Sequence, residues 1–159
     1  MAVGENAGKA SISFMDMALE EAQIAQTLGE VPIGAVITHN GAIIARAGNR
    51  TRTLNDPTAH AEILAIRYAC EALSSQRIMD CDLYVTLEPC AMCAGAISHA
   101  RIRRLYYGAA DAKGGAVEHG PRFFGQPTCL HAPEVYAGIA ESEAAGMLQG
   151  FFRELRRDA

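Results

Sequence analysis

No stretch of these 159 residues is apolar for long enough to cross a bilayer, and no segment is of low complexity. Met1 to Ala10 lack both the basic and the apolar regions of a secretion signal, so the chain is expected to work in the cytoplasm, away from membranes. Cysteines are few and odd in number, five in all. Without an export signal, that argues for thiols or metal ligands and against a disulfide framework. A general basic excess is missing too, the formal charge being −4. Residues 1–99 carry 6 basic and 11 acidic side chains, while residues 100–159 carry 8 and 7. Basic residues gather at Arg101, Arg103 and Arg104, and again at Arg153, Arg156 and Arg157. Such clusters permit a local phosphate-binding face without requiring one, because arginines near a helix C-terminus are also favoured by the macrodipole. With no internal repeat and no linker, residues 1–159 read as one domain, of which 1–10 are expected to be flexible. Half of the residues are apolar, enough for a substantial core.

Hydrophobic spacing and turn residues divide the chain into elements. Ser11 to Leu28 reads as a helix, with Ser11 or Ser13 as cap and Gly29 as stop, although Glu21 falls where an apolar residue would fit. Ile33 to Thr38 and Ala42 to Ala47 are short strands joined at Asn40-Gly41, the strongest short hairpin signal. Asn49 to Thr58 is a polar loop. His60 to Leu73 is a helix apolar nearly all round, which suits burial between layers. Leu83 to Leu87 is a strand that runs into Pro89 and a helix over residues 90–99, and Ile102 to Tyr107 is the next strand. Residues 108–133 are broken by glycine and proline. Val135 to Ile139 then reads as a strand and Glu141 to Arg157 as the last helix. This order predicts a three-layer α/β/α domain with a mixed sheet of about five strands.

The chemistry concentrates in Glu88-Pro89-Cys90-Ala91-Met92-Cys93, read together with His60-Ala61-Glu62 upstream. Cysteines three apart at a helix start present both sulfurs to one ion, and the positive helix end favours thiolate. His60 completes a Cys2His set, and Glu62 is left over. Three protein ligands and a spare carboxylate describe a zinc ion that keeps one position for water. The metal would lower the pKa of that water toward ~7, and Glu62 would carry its proton to the substrate and the leaving group. His60 and Glu62, two apart, can share a cavity only at the very start of their helix.

Histidine–x–glutamate followed by Pro-Cys-x-x-Cys is the known signature of zinc-dependent nucleobase deaminases. Within that superfamily, which has the cytidine-deaminase-like fold, the chain resembles the bacterial tRNA-specific adenosine deaminases from about Phe14 to Arg157. The densest matches are Val31-Pro32-Ile33-Gly34-Ala35-Val36, Asp56-Pro57-Thr58-Ala59-His60-Ala61-Glu62-Ile63, Tyr84-Val85-Thr86-Leu87-Glu88-Pro89-Cys90 and Asp111-Ala112-Lys113. The resemblance implies a homodimer, with one Zn2+ per subunit, that binds a tRNA anticodon stem-loop and converts the wobble adenosine to inosine. It places His60, Cys90 and Cys93 on the zinc ligands and Glu62 on the proton shuttle. It also places Asn49 on the asparagine that bonds the flipped base, and Val31 on the apolar wall beneath that base. Phe152 and Arg153 fall on a segment that meets the RNA, and Lys113 on a loop near its backbone. After Ala116 the chain departs from the family, with Val117-Glu118-His119-Gly120 where many relatives have small residues.

Blander readings stand beside these. A structural zinc would need a fourth ligand, for which His99, His119, His131 and Cys129 are candidates, and Cys129-Leu130-His131 is more simply a thiol beside a surface histidine. Glu88 reads as a carboxylate bonding N–H groups at its helix start, and Asn49 equally suits a hairpin terminus. Phe151 and Phe152 are expected to point one ring in and one out. Arg101 to Arg104 would serve as solvated edge charges. The competing functions are a free-base deaminase acting on guanine or cytosine, and a non-catalytic, zinc-stabilised RNA-binding subunit.

Overall fold

The computed structural model describes residues 3–159, with side chains from Phe14 onward. Elements follow in the expected order: α1 (Val3–Thr27), β1 (Gly34–His39), β2 (Ala42–Gly48), α2 (Ala61–Leu73), β3 (Cys81–Leu87), α3 (Ala91–Ala100), β4 (Arg104–Ala109), β5 (Glu134–Tyr136) and α4 (Glu141–Asp158). A 3-10 turn, Phe123–Gly125, interrupts the long segment before β5. Helix α1 begins well before Ser11. Ser11 and Ser13 therefore lie inside the helix and do not cap its start, while Met1 and Ala2 fall outside the residues described. Strand β5 is shorter than expected, since Gly138 takes a left-handed φ of 78° beyond it. Among the described residues no helix is long and apolar enough to cross a membrane.

The sheet order is β2-β1-β3-β4-β5, antiparallel across β2-β1-β3 and parallel across β3-β4-β5. This is the mixed five-stranded sheet of the expected fold. Asn40 and Gly41 have φ of 52° and 77°, the pair of left-handed residues that a two-residue hairpin turn requires. Side chains alternate along each strand. Ile37, Leu83, Val85 and Leu105 face the layer of α2 and α3, where they meet Leu64, Ala65 and Ile97. Val36 and Tyr84 face the opposite layer, against Met15 and Ala18 of α1. Covered on both sides, β1 and β3 are buried almost throughout, which explains why they are mostly apolar.

Helix α1 lies directly on the sheet because Gly34 and Gly48 are paired across β1 and β2. A Cβ on Gly34 would overlap the Ala18 carbonyl oxygen, and one on Gly48 would come within 2.8 Å of the Glu21 carbonyl oxygen. Glu21 itself sits off the apolar stripe for a reason: its Oε1 accepts from Arg46 Nε of β2 at 2.9 Å. The arginines near β4 correct an expectation. Strand β4 is interior, Arg103 forms a two-pronged pair with Asp82 at 3.0 and 2.9 Å, and Arg104 pairs with Glu134 at 3.0 Å. They tie neighbouring strands together and do not guard an edge.

The arrangement brings one end of the sheet to a focus. Strand β2 ends there at Gly48, β1 starts there at Gly34, and the parallel β3 and β4 end there at Leu87 and Ala109. Ligand sites in open sheets gather beside such strand ends.

Candidate active site

His60 immediately precedes α2 with extended backbone (φ −71°, ψ 153°), and Cys90 stands in the same place before α3 (φ −73°, ψ 177°). Neither side chain caps its own helix, so both turn inward. His60 Nδ1 lies 3.7 Å from Cys90 Sγ and 3.5 Å from Cys93 Sγ. All three ligand atoms lie within 4.8 Å of one another. Tetrahedral zinc, with bonds of ~2.3 Å to sulfur and ~2.0 Å to nitrogen, needs its nitrogen and sulfur donors about 3.6 Å apart. The donor set therefore fits a metal ion as it stands. Among the described residues no fourth His, Cys, Asp or Glu joins the set. His119 Nδ1 is engaged by Glu88 Oε1 at 2.7 Å, His131 Nε2 by the Ile102 carbonyl at 2.9 Å, and the Cys129 thiol by the His131 carbonyl at 3.1 Å. His99 lies in an outer groove between α2 and α3.

Contacts within the donor set place the negative charge on Cys90. The Cys93 thiol donates to Cys90 and, against the effect of burial, lowers the Cys90 thiol to about 4, with His60 adding to the shift. Cys93, the donor, is pushed up by the same contact. His60 is raised by its contact with Cys90. Glu62 is the second residue of α2, 4% exposed, and burial holds its carboxyl above the ordinary range. At the very start of α2, His60 and Glu62 do share one cavity, as the sequence required.

That cavity has a volume of about 1160 Å³ and gathers nearly every residue singled out from the sequence. His60, Glu62 and Cys90 line its floor, with Cys93 fully buried behind them. Val31, Ile33 and Asn49 form one wall, and Lys113, Phe152 and Arg153 line it from the opposite loop and from α4. Asn49 follows the end of β2 and is 5% exposed, and its N–H donates to the Ile33 carbonyl at 3.0 Å. No side chain or backbone group among the described residues engages its carboxamide, which is left to the cavity. Phe151 is buried and Phe152 is 45% exposed, with the rings edge to face at 5.4 Å, so one points in and one out.

Some of the lining was not anticipated. Thr51, Leu148, Gln149 and Arg156 also face the cavity. Arg156 belongs to the C-terminal basic cluster, and only the packing of α4 reveals that its side chain turns to this site while that of Arg157 does not. Glu88 does bond N–H groups, but they belong to the 111–119 loop and not to its own helix start. Burial alone would raise its carboxyl; the N–H of Asp111, the His119 ring and the N–H groups of Val117 and Glu118 outweigh that and lower it.

A family model for MafB19-like deaminases matches residues 10–156. A tRNA-specific adenosine deaminase of Agrobacterium fabrum (strain C58 / ATCC 33970) is 68% identical over 145 residues, 91% of this chain and 95% of that protein. A structure from work on A-to-I editing by tRNA:A34 deaminases at the wobble position of transfer RNA superposes with a TM-score of 0.85. It is 68% identical, over 86% of this chain and 99% of the other. A guanine deaminase from Bacillus subtilis superposes with a TM-score of 0.62 at 35% identity, over 89% of this chain and 92% of the other.

Proposed function

The chain belongs to the tRNA-specific adenosine deaminases, and we propose that it converts the wobble adenosine of a tRNA anticodon loop to inosine. The observation that carries the reading is the pairing of a three-donor metal set and a spare buried carboxylate with an open cavity lined by Lys113, Arg153 and Arg156. A guanine deaminase shares the fold, but the much higher identity lies with the RNA enzymes.

His60, Cys90 and Cys93 hold the ion, which we take to be one Zn2+ per subunit. When bound, zinc supplies an acidified water and a positive charge beside the reacting carbon. Glu62 accepts one proton from the attacking water and delivers it to ring N1, then takes the second from the hydroxyl now on C6 and delivers it to the exocyclic N6. The C6–N6 bond breaks, ammonia leaves, and C6 keeps the oxygen, so adenosine and water give inosine and ammonia. Asn49 presents its carboxamide to the edge of the flipped base, and Val31 backs the ring. Phe152 stacks on a neighbouring base, while Arg153 and Lys113 meet phosphates. The working form is a homodimer in the cytoplasm. Dimerisation is supported by exposed Tyr68 and Met92 on α2 and α3 and by Leu130 nearby, large apolar side chains on the layer away from the cavity mouth.

The decisive experiment offers zinc-loaded protein an anticodon stem-loop with adenosine at the wobble position, and in parallel free adenosine, guanine and cytosine. Inosine is expected in the RNA. Ammonia from guanine alone, with no inosine formed, would overturn the assignment.

A further inference from the structure

Two carboxylates outside the reaction lie buried beneath the rim of the cavity, and each grips one of the loops that wall it. Glu30 is fully buried, next to Val31. Its Oε1 accepts from the Arg52 N–H at 3.0 Å, and its Oε2 from the Thr53 N–H and hydroxyl, both at 3.3 Å. Glu88 is 2% exposed. Its Oε1 accepts from the Asp111 N–H at 3.0 Å and faces His119 Nδ1 at 2.7 Å. Its Oε2 accepts from the N–H groups of Val117, Glu118 and His119 at 3.1, 3.1 and 3.2 Å. The first loop gives Thr51 to the cavity and the second gives Asp111 and Lys113.

A buried carboxylate is stable only when its oxygens are saturated with donors. Here the donors come from the loops, so neutralising the charge and shaping the loop are one requirement. Residues 52–54 and 112–114 are exposed, and the loops are otherwise held by backbone bonds such as Asp56 N–H to the Thr51 carbonyl at 3.0 Å and, in the second, by buried Ala116 and Val117. Gly115 shows how close the second grip is: a Cβ there would come within 2.5 Å of the Glu88 carboxyl and of the Asp111 carbonyl oxygen. His119 closes that grip from the solvent side.

The geometry points to Glu30 and Glu88 as positioning residues that hold the two loops of the cavity mouth in the shape that receives RNA. The inference rests on the reading of this cavity as the RNA site. It says that the mouth is built before the substrate arrives, so loss of either grip weakens capture of RNA more than it slows the chemistry on bound RNA.

The test uses the full-length, zinc-loaded protein with Glu30→Gln, Glu88→Gln and His119→Ala. Zinc content, Tm, hydrogen exchange at residues 52–53 and 117–119, and kcat and KM on the anticodon stem-loop are measured for each. The expected result is retained zinc, faster exchange in the affected loop, a KM raised about tenfold and a kcat within about threefold of wild type. His119→Ala, which removes only a ring at the surface, keeps the test open if Glu30→Gln or Glu88→Gln does not fold. It should raise KM in the same direction. Unchanged KM in every folded variant, with only Tm lowered, would overturn the inference. So would a fall in kcat that tracks zinc loss. A wild-type protein that forms no inosine in the stem-loop would instead remove the substrate assignment, and this inference with it.

Discussion

His60 Nδ1 and Cys93 Sγ stand 3.5 Å apart although 33 positions separate them in the chain. Each is placed by the start of a different helix, α2 and α3, and the two helices lie side by side on one face of the sheet. Metal binding therefore joins two elements that are otherwise linked only through packing.

Removing the metal should cost both stability and turnover. A strong chelator, or Cys93→Ala, is expected to lower Tm by several degrees and abolish inosine formation, because the first leaves three donors crowded without their ion and the second leaves only two donors. Calorimetry and re-addition of Zn2+ check this. Full activity in the chelated, metal-free protein would remove the ion from the reaction.

Glu62→Gln keeps the shape of the side chain and loses its ability to carry a proton. The expected outcome is unchanged zinc content and Tm with kcat lower by about 10²–10⁴-fold. Wild-type turnover in this variant would take Glu62 out of the mechanism.

Asn49→Ala removes a carboxamide that none of the described residues engages. A loss of one or two hydrogen bonds to the base should lower kcat/KM on the stem-loop by about 10–100-fold. Tm should stay near the wild-type value, and a variant with wild-type kcat/KM would return Asn49 to a turn residue.

Gly34→Val forces a side chain into the contact between β1 and α1, where even a Cβ overlaps the Ala18 carbonyl oxygen. Overpacking against backbone is expected to cost about 3 kcal/mol or more, seen as a large drop in the denaturant midpoint. Gly41→Ala makes a useful control, because that position has open space and strain only from its φ of 77°.

Cys81 gives a pH-dependent prediction. Burial, with Asp82 and Asp80 nearby, raises its thiol from 9.0 to about 11. The unfolded chain loses this proton near pH 9 while the folded chain keeps it, so the contribution is complete below pH 9 and disappears as pH rises through 11. The stability gap between wild type and Cys81→Ala should therefore shrink between pH 8.5 and pH 11 in urea unfolding. A gap that widens with pH would contradict the assignment.

The Cys90–Cys93 pair and the element order were legible in the linear chain because both depend on short-range spacing. Pro89 before Cys90 marks a helix start, three positions bring Cys93 to the same side, and period-two and period-3.6 patterns separate strands from helices. Glu21, which broke the pattern of α1, was the exception, and its partner Arg46 on another strand accounts for it.

Other features depended on where distant segments meet. The partners of Glu30 lie more than twenty residues away, and those of Glu88 in a loop whose glycines and prolines carry no periodic signal. The same holds for the choice of Arg156 over Arg157 as a cavity residue, which follows from how α4 rolls against the sheet. Local residue order determined that Cys90 and Cys93 could share an ion, because one helical turn fixes their distance. Only the closed three-layer packing decided which buried charges found donors and which loops those charges hold, because those distances are set by chain segments that never meet until the core forms.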